Sequence, residues 1–263
     1  MVGMEIRLVI IVAGMTIASL ASAATAVMFD VDDKGKRAVK VAYIENDKVL
    51  LSDPDGVPYT EVLYEHDTDR FVIINHKDKS WLILNRAKVD SMSAQAEGIR
   101  SAITANLSPD QQEQLAGMLT NMGMEGFSAK QPSPGKEYIN TTEMRAINGF
   151  RCSVFRVMKG SQLDTEMCVV TGDLPGMPAA DYQTLKAMYV LSDYIVNKAD
   201  GLPVEIGATL PDLGGGKIGG LPVSVTDIDD AVTVTLRKLT QETIDPVRLS
   251  VPSGYEETAL PGL

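Results

Sequence analysis

The chain has 263 residues, is 44% hydrophobic, and carries 35 acidic against 24 basic side chains, a formal charge of -11 with both histidines neutral. That apolar content is enough to fill a core, which excludes a disordered chain. The acidity argues against nucleic acid and against anionic membrane surfaces, both of which are recognised through clustered cations.

The chain opens with Met1 to Arg7, a short segment with one Arg, followed by the almost unbroken apolar run Leu8 to Leu20 and the small residues Ala21-Ser22-Ala23. This reads as a secretory signal peptide over residues 1–23, cut after Ala23, with a single domain over residues 24–263. A retained anchor needs a longer apolar span of about 20 residues, and Ser19 and Ser22 interrupt its end. No cysteine lies near the cut to accept a lipid, so the expectation is a soluble periplasmic protein with no transmembrane segment in the mature chain. Glu5 and Arg7 leave together, so the charge is unchanged. Export exposes the chain to oxidant, and Cys152 and Cys168 are then expected to form one disulfide. In a reducing compartment they would instead be two small buried thiols.

Strands come next. Residues 38–45, AVKVAYIE, turn through Asn46-Asp47 into KVLLSD, and Asp53-Pro54-Asp55-Gly56 supplies a further turn. Residues 60–66, TEVLYEH, turn through Asp67-Thr68-Asp69 into FVIIN, and His76 to Lys79 leads into SWLILN. This is a run of meander hairpins, and its segments 71–74 and 81–84 are continuously apolar, as expected of strands covered on both faces.

The pattern changes at Arg86. Met92, Ala96, Ile99, Ile103 and Leu107 recur at spacings of four and three, which predicts a helix, and Ser108-Pro109-Asp110-Gln111 looks like a second helix start. That second helix carries Leu115, Met118, Leu119 and Met122 on one face and is weakened by Gly117 and Gly123. Together they form a helical insert at about 88–124. The loop SAKQPSPGK at 128–136 precedes strands from Glu137 onward.

Gly149 to Val170 reads as one hairpin. Lys159-Gly160-Ser161 lies midway between the cysteines, so pairing about Gly160 would set Cys152 directly opposite Cys168. A turn at 172–178 delivers a helix over 179–197 with Tyr182, Leu185, Met188, Tyr189, Ile195 and Val196 on a broad apolar face. Strands at 201–210, 221–228 and 231–242 and the short tail LSVPSGYEE close the chain.

Several of these segments carry a family likeness. Gly149-Phe150-Arg151-Cys152 with Val154, Phe155 and Val157, then Gly201-Leu202-Pro203-Val204, then Val251-Pro252-Ser253-Gly254-Tyr255, together with the hairpins YIENDKVLL and VLYEHDTDRFVIINHKDKSWLIL, resemble a family of exported bacterial proteins of unknown function. The resemblance spans roughly residues 38–256. It implies a LolA-like half-barrel of the kind found in lipoprotein carriers: an α+β fold, mainly β, with a curved antiparallel sheet and helices packed in its concave face. It implies no catalytic residues.

The candidate chemistry is thin. Ser133-Pro134-Gly135-Lys136 spells S-x-x-K, but acyl-enzyme chemistry needs that pair one turn apart on a helix, and Pro with Gly forbids one. Gly214 to Gly220 has the glycines of a phosphate loop, yet Ile218 stands where Ser or Thr belongs and a strand follows. His66 and His76 are set apart along their strands, so no zinc or nucleophile site is built on them. The acidic runs at Asp30 to Asp33, Asp53 to Asp55 and Asp227 to Asp230 lack a calcium loop and suit turns.

No cofactor, metal or enzymatic activity is expected. The leading expectation is a binding protein for a lipid or other apolar ligand, held in the concave face by Leu115, Met118, Leu119, Met122, Met188 and Tyr189. The alternative is an envelope module with a filled interior and a protein partner. If the signal peptide is read correctly, terminal sequencing of exported protein will give Ala24 first, whereas an intact Met1 in the membrane fraction would overturn the periplasmic assignment.

Overall fold

The computed structural model describes residues 23–53, 59–105, 107, 108, 110, 111, 114, 136–199 and 218–258. Residues 1–22 of the expected signal peptide, the face carrying Leu115, Met118, Leu119 and Met122, the S-x-x-K serine and the strand expected at 201–210 lie outside the described residues.

Six strands come first: β1 Ala23–Asp33, β2 Lys36–Glu45, β3 Lys48–Ser52, β4 Thr60–Glu65, β5 Arg70–Asn75 and β6 Ser80–Leu84. Helix α1 follows at Arg86–Thr104, then β7 Lys136–Ile147, β8 Phe150–Lys159, β9 Gln162–Val170, helix α2 Ala179–Ala199, β10 Leu221–Asp227, β11 Val232–Thr243 and the two-residue β12 Glu256–Glu257. The twelve strands of the described residues join one sheet in the order β12-β6-β5-β4-β3-β2-β1-β11-β10-β9-β8-β7. Every pairing is antiparallel except that of β12 along β6. The result is an open, curved α+β structure, in agreement with the sequence expectation.

The order describes two meanders. β1 to β6 run outward from the centre, whereas β7 starts at the far edge and the chain works back to β11. They meet where β1 pairs with β11, along a register from Ala23 opposite Thr243 to Asp33 opposite Val232, with one irregularity at Met28/Phe29. The sequence reading missed β1. Its Ala-rich start continues the composition of the leader, although Val27, Phe29 and Val31 alternate as a strand should. The turn that returns it to β2 is Lys34-Gly35, both residues at positive φ, as a two-residue hairpin of the favoured hand requires. Asn46-Asp47 and Asn148-Gly149 make the same kind of turn, the first as expected and the second an Asn-Gly signal that the sequence carries openly.

Strand alternation produces two apolar layers. On one face Val49, Val62, Tyr64, Phe71 and Leu84 point into a large core with Val89 and Met92 of α1 and Leu185, Met188, Tyr189, Leu191 and Ile195 of α2. On the other, Leu50, Leu63, Val72 and Ile74 pack with Leu249, and Trp81, Val251 and Tyr255 lie against them. The apolar runs of β5 and β6 are therefore covered on both sides, by helices and by the C-terminal tail. That tail is a 3-10 turn, Pro246–Leu249, and a strap ending in β12, which pairs parallel with β6.

Local chemistry places the helices. Asn85 caps α1, its side chain accepting from the Lys88 amide at 2.9 Å, so the helix begins at Arg86, two residues earlier than the sequence boundary. Asp181 in the first turn of α2 accepts from the Thr25 hydroxyl of β1 at 2.5 Å, and an anion is favoured at that end of a helix. Gly220, just before β10, is required by close approach, since a Cβ there would sit 2.5 Å from the Val170 carbonyl oxygen.

The disulfide Cys152–Cys168 is present, with Cα atoms 5.3 Å apart. Its register is not the expected one. The turn closes with Lys159 opposite Gln162, and a bulge between Val157 and Met158 adds one further shift, so Val154 lies opposite Cys168 and the bond runs diagonally between β8 and β9. Reduction of this bond, which closes a loop with a sequence separation of 16, should remove about 3 kcal/mol of stability, read as a fall in melting temperature. Non-reducing peptide maps should contain a single Cys152–Cys168 pair; two free thiols in freshly isolated protein would contradict it.

Candidate functional site

Two polar constellations stand out, one on each face of the sheet. On the helix side, an open cleft of about 440 Å³ is lined by Tyr64, His66, Asp69, Arg86, Gln183, Lys186, Ala187 and Val190. Three separated pieces of chain build it: the end of β4 with the 3-10 turn His66–Thr68, the start of α1, and one face of α2. Arg86 holds these together. Its Nε donates to Asp69 Oδ2 at 3.1 Å while its guanidinium lies 4.5 Å from the ring centre of Tyr194 on α2.

Asp69 sits at positive φ, closing the 3-10 turn, and accepts a second hydrogen bond from the Tyr64 hydroxyl at 3.3 Å. Burial first, and then the neighbouring Asp69 charge, push the Tyr64 hydroxyl well above the usual phenol range, so it stays a donor. His66 lies 3.9 Å from Asp47, which also accepts from Thr184 of α2 at 3.3 Å. Val190 is 40% exposed at the cleft edge. The helix pair is further tied by Tyr194, whose hydroxyl donates to Asp90 of α1 at 2.5 Å.

On the strap side, Glu61 of β4 is only 5% exposed. Its Oε1 accepts from Arg248 at 2.6 Å and from the Ser52 hydroxyl at 2.8 Å, and its Oε2 faces His76 Nε2 at 3.0 Å. His76 Nδ1 is 3.0 Å from the Tyr255 hydroxyl. One tautomer satisfies the chain: Nε2–H donates to Glu61 and Nδ1 accepts from Tyr255. Ser, His and a carboxylate stand together here, yet the serine donates to the acid and accepts from Arg248 at 3.0 Å. The histidine that would activate such a serine is occupied elsewhere. The chemistry is that of a latch, with Arg248 and Tyr255 of the tail fastened to a carboxylate in the sheet.

The expected site residues fall as follows. Met188 and Tyr189 are each 2% exposed within the helix-side core and do not line the cleft. Burial pushes the Tyr189 hydroxyl up. Leu115, Met118, Leu119 and Met122 lie outside the described residues. Trp81 packs on the strap side, away from the helices. The histidines are separated, as the hairpin register implied, and among the described residues no cluster of three or more His, Cys, Asp or Glu is arranged for a metal. Asp32, Asp53 and Asp227 serve turns and surface pairs with Gly35, Lys40 and Asp230. Sequence reasoning missed Arg86 and Lys186 because each is an ordinary helix-surface cation until the fold brings them to one cleft.

Comparison with family models and with curated proteins gives no match. Among solved structures, the chain is similar to PNGF-II at 11% identity and a TM-score of 0.41, over 90% of this chain and 31% of that one. It is also similar to an uncharacterized conserved protein from Thermus thermophilus at 6% identity and a TM-score of 0.40, over 91% of each chain. A third likeness is to the Pseudomonas aeruginosa MucA/MucB complex at 10% identity and a TM-score of 0.35, over 91% of this chain and 59% of that one. The chain thus spans about a third of PNGF-II and under two thirds of the Pseudomonas chain. No helix among the described residues is long and apolar enough to cross a membrane.

The latch makes a pH-dependent contribution whose sign follows from Glu61. Burial alone would raise its carboxyl, but hydrogen bonds from Arg248, Ser52 and His76 and the Arg248 charge together outweigh burial and hold it below the usual range. Stability from this carboxylate is therefore full above the ordinary glutamate range and is lost as pH falls through the lowered value. Arg248→Met should cost about 1–3 kcal/mol near neutrality by leaving a buried acceptor short of its donor, and this cost should shrink in acid. Thermal melts of both proteins between neutral and acidic pH check it; a cost independent of pH would place the Arg248 contribution in packing against Tyr43 instead.

Proposed function

We propose that the chain is an exported, non-enzymatic binding module of the cell envelope whose partner is another protein, docked at the cleft between β4, α1 and α2. The observation that carries this reading is the contrast between interior and rim. The helix side of the sheet is filled by Leu185, Met188, Tyr189, Leu191 and Ile195, all nearly inaccessible. The open space lies at the rim, and its lining mixes Arg86, Lys186, His66 and Asp69 with the exposed Val190.

An acyl chain is a poor occupant of such a lining. It would strip water from charged groups and return no hydrogen bond, and lipid pockets are mostly apolar. A protein surface offers both polar and apolar groups and suits an open cleft. An acyl ligand over Met188 and Tyr189 would have to open a packed core, at the cost of the contacts that now fill it. The disulfide supports export, since such bonds persist in oxidising compartments. Among the described residues, Ser52, Glu61 and His76 are engaged in holding the tail, which supports a structural rather than a catalytic role for that group.

The test is a photo-crosslinking residue placed at Val190 in the full chain, with the same residue at Val247 on the strap as control, since both are exposed. Irradiation of intact cells should give one protein adduct from position 190 and none of that mass from 247, weakened by Arg86→Glu. Mass spectrometry of organic extracts of the purified protein provides the opposing outcome. Stoichiometric acyl lipid, lost in Met118→Asp while the fold is retained, with no adduct at position 190, would return the acyl-carrier reading.

A further inference from the structure

Lys186 is half-buried in the wall of the cleft, and among the described residues no ion pair engages it. Asp69, the one carboxylate among the described residues of the lining, is already bonded by Arg86 and Tyr64. Arg86 spends only its Nε on Asp69, which leaves its terminal amino groups in a cleft that also contains His66. Lys186 and the terminal amino groups of Arg86 therefore exceed the one carboxylate of the described lining, on a chain whose formal charge is -11, while His66 faces Asp47 at 3.9 Å. A half-buried ammonium has lost part of its hydration without gaining a partner, and an incoming anion would restore a charge-assisted bond. Ala187 and Val190, one and four residues further along α2, set a short apolar strip beside it.

We infer that this cleft receives a carboxylate-bearing peptide segment, an acidic side chain or a chain terminus, bonded by Lys186 and Arg86 with a small apolar residue seated on Ala187 and Val190. The inference rests on the partner-docking reading and names the chemistry of the docked element. A peptide is favoured over an anionic lipid surface by charge. A bilayer face presents many negative headgroups to an acidic protein within one screening length of about 8 Å, whereas one carboxylate on a flexible segment meets chiefly the local cations.

The experiment uses the full chain and amide-resolved NMR. The probes are N-acetyl-valyl-glutamate amide, the uncharged N-acetyl-valyl-glutamine amide, inorganic phosphate, and phosphatidylglycerol vesicles. The acidic peptide should saturably shift the amides of residues 66–69, 86 and 183–190, the segments that line the cleft. The uncharged peptide, which weakens the bonds to both Lys186 and Arg86, should bind at least about ten-fold more weakly, the scale of one charged hydrogen bond. Lys186→Gln should weaken the acidic peptide by about the same factor and Lys186→Arg should retain it, with unchanged melting temperatures showing that both fold. Equal binding of the two peptides, or shifts away from the cleft, would overturn the inference. Phosphate or vesicles binding there without the peptide would overturn it too and assign the site to a phosphate headgroup. A protein adduct at position 190 combined with indifference to peptide charge would sink the carboxylate while sparing the docking reading.

Discussion

The pairing of β1 with β11 is the constraint on which the sheet depends. Without it the chain is two separate meanders, β1 to β6 and β7 to β11, each with one more raw edge. β1 contributes to both, since its residues also pair with β2 from Thr25 to Asp33. Its first residues, Ala24, Thr25, Ala26 and Val27, are all essentially inaccessible. Small side chains suit a strand hidden at the middle of a sheet. Thr25 adds a polar tie there, donating to Asp181 of α2 and accepting from Gln241 of β11 at 2.9 Å. Seam and helix are thus fixed by one hydroxyl. These long-range pairings impose a large loop-closure cost that burial must offset, so the seam is expected to form late in folding.

The seam divides the work of the two faces. The helix side holds the larger core and, at its rim, a cleft whose charged side chains are incompletely matched. On the strap side the polar groups are matched closely: Glu61 has three donors, and the tail covers the apolar residues beneath. Lys48 adds to the closure by donating to the Leu249 carbonyl at 2.9 Å. β12 along β6 also shields that edge of the sheet from pairing with another chain. A buried and satisfied network rigidifies, whereas a half-buried cation without a partner invites one. The asymmetry between the faces is what makes the cleft the more informative place to look for a ligand.

Much of the fold was legible in sequence because it is written locally. Turn pairs such as Asn46-Asp47, the two-sided apolar runs of β5 and β6, the helical stripe beginning at Met92 and the face of α2 all depend on neighbours within a few residues. What failed depends on distance. β1 was hidden by its likeness to the apolar run before it, and the cysteine register by a two-residue turn and a bulge that no composition announces. The tail, with Pro246 and Pro252, reads locally as loop, and only Glu61 and His76 explain why it is ordered. The cleft was not legible at all. Tyr64, Arg86 and Lys186 are separated by long stretches of chain, and their residue types are unremarkable until placed together.

That construction couples the cleft to the packing of the helices. Arg86 is the first residue of α1, presented there because Asn85 caps the helix, and it touches both Asp69 of the sheet side and Tyr194 of α2. Tyr194 in turn bonds Asp90, one turn along α1. Moving α1 against α2 would therefore break the Arg86 contacts and reshape the cleft together. The converse also holds: a ligand that bonds Arg86 and Lys186 at once bridges the two helices and favours the arrangement in which they are docked. An occupant of the rim can in this way stabilise the filled interior without entering it.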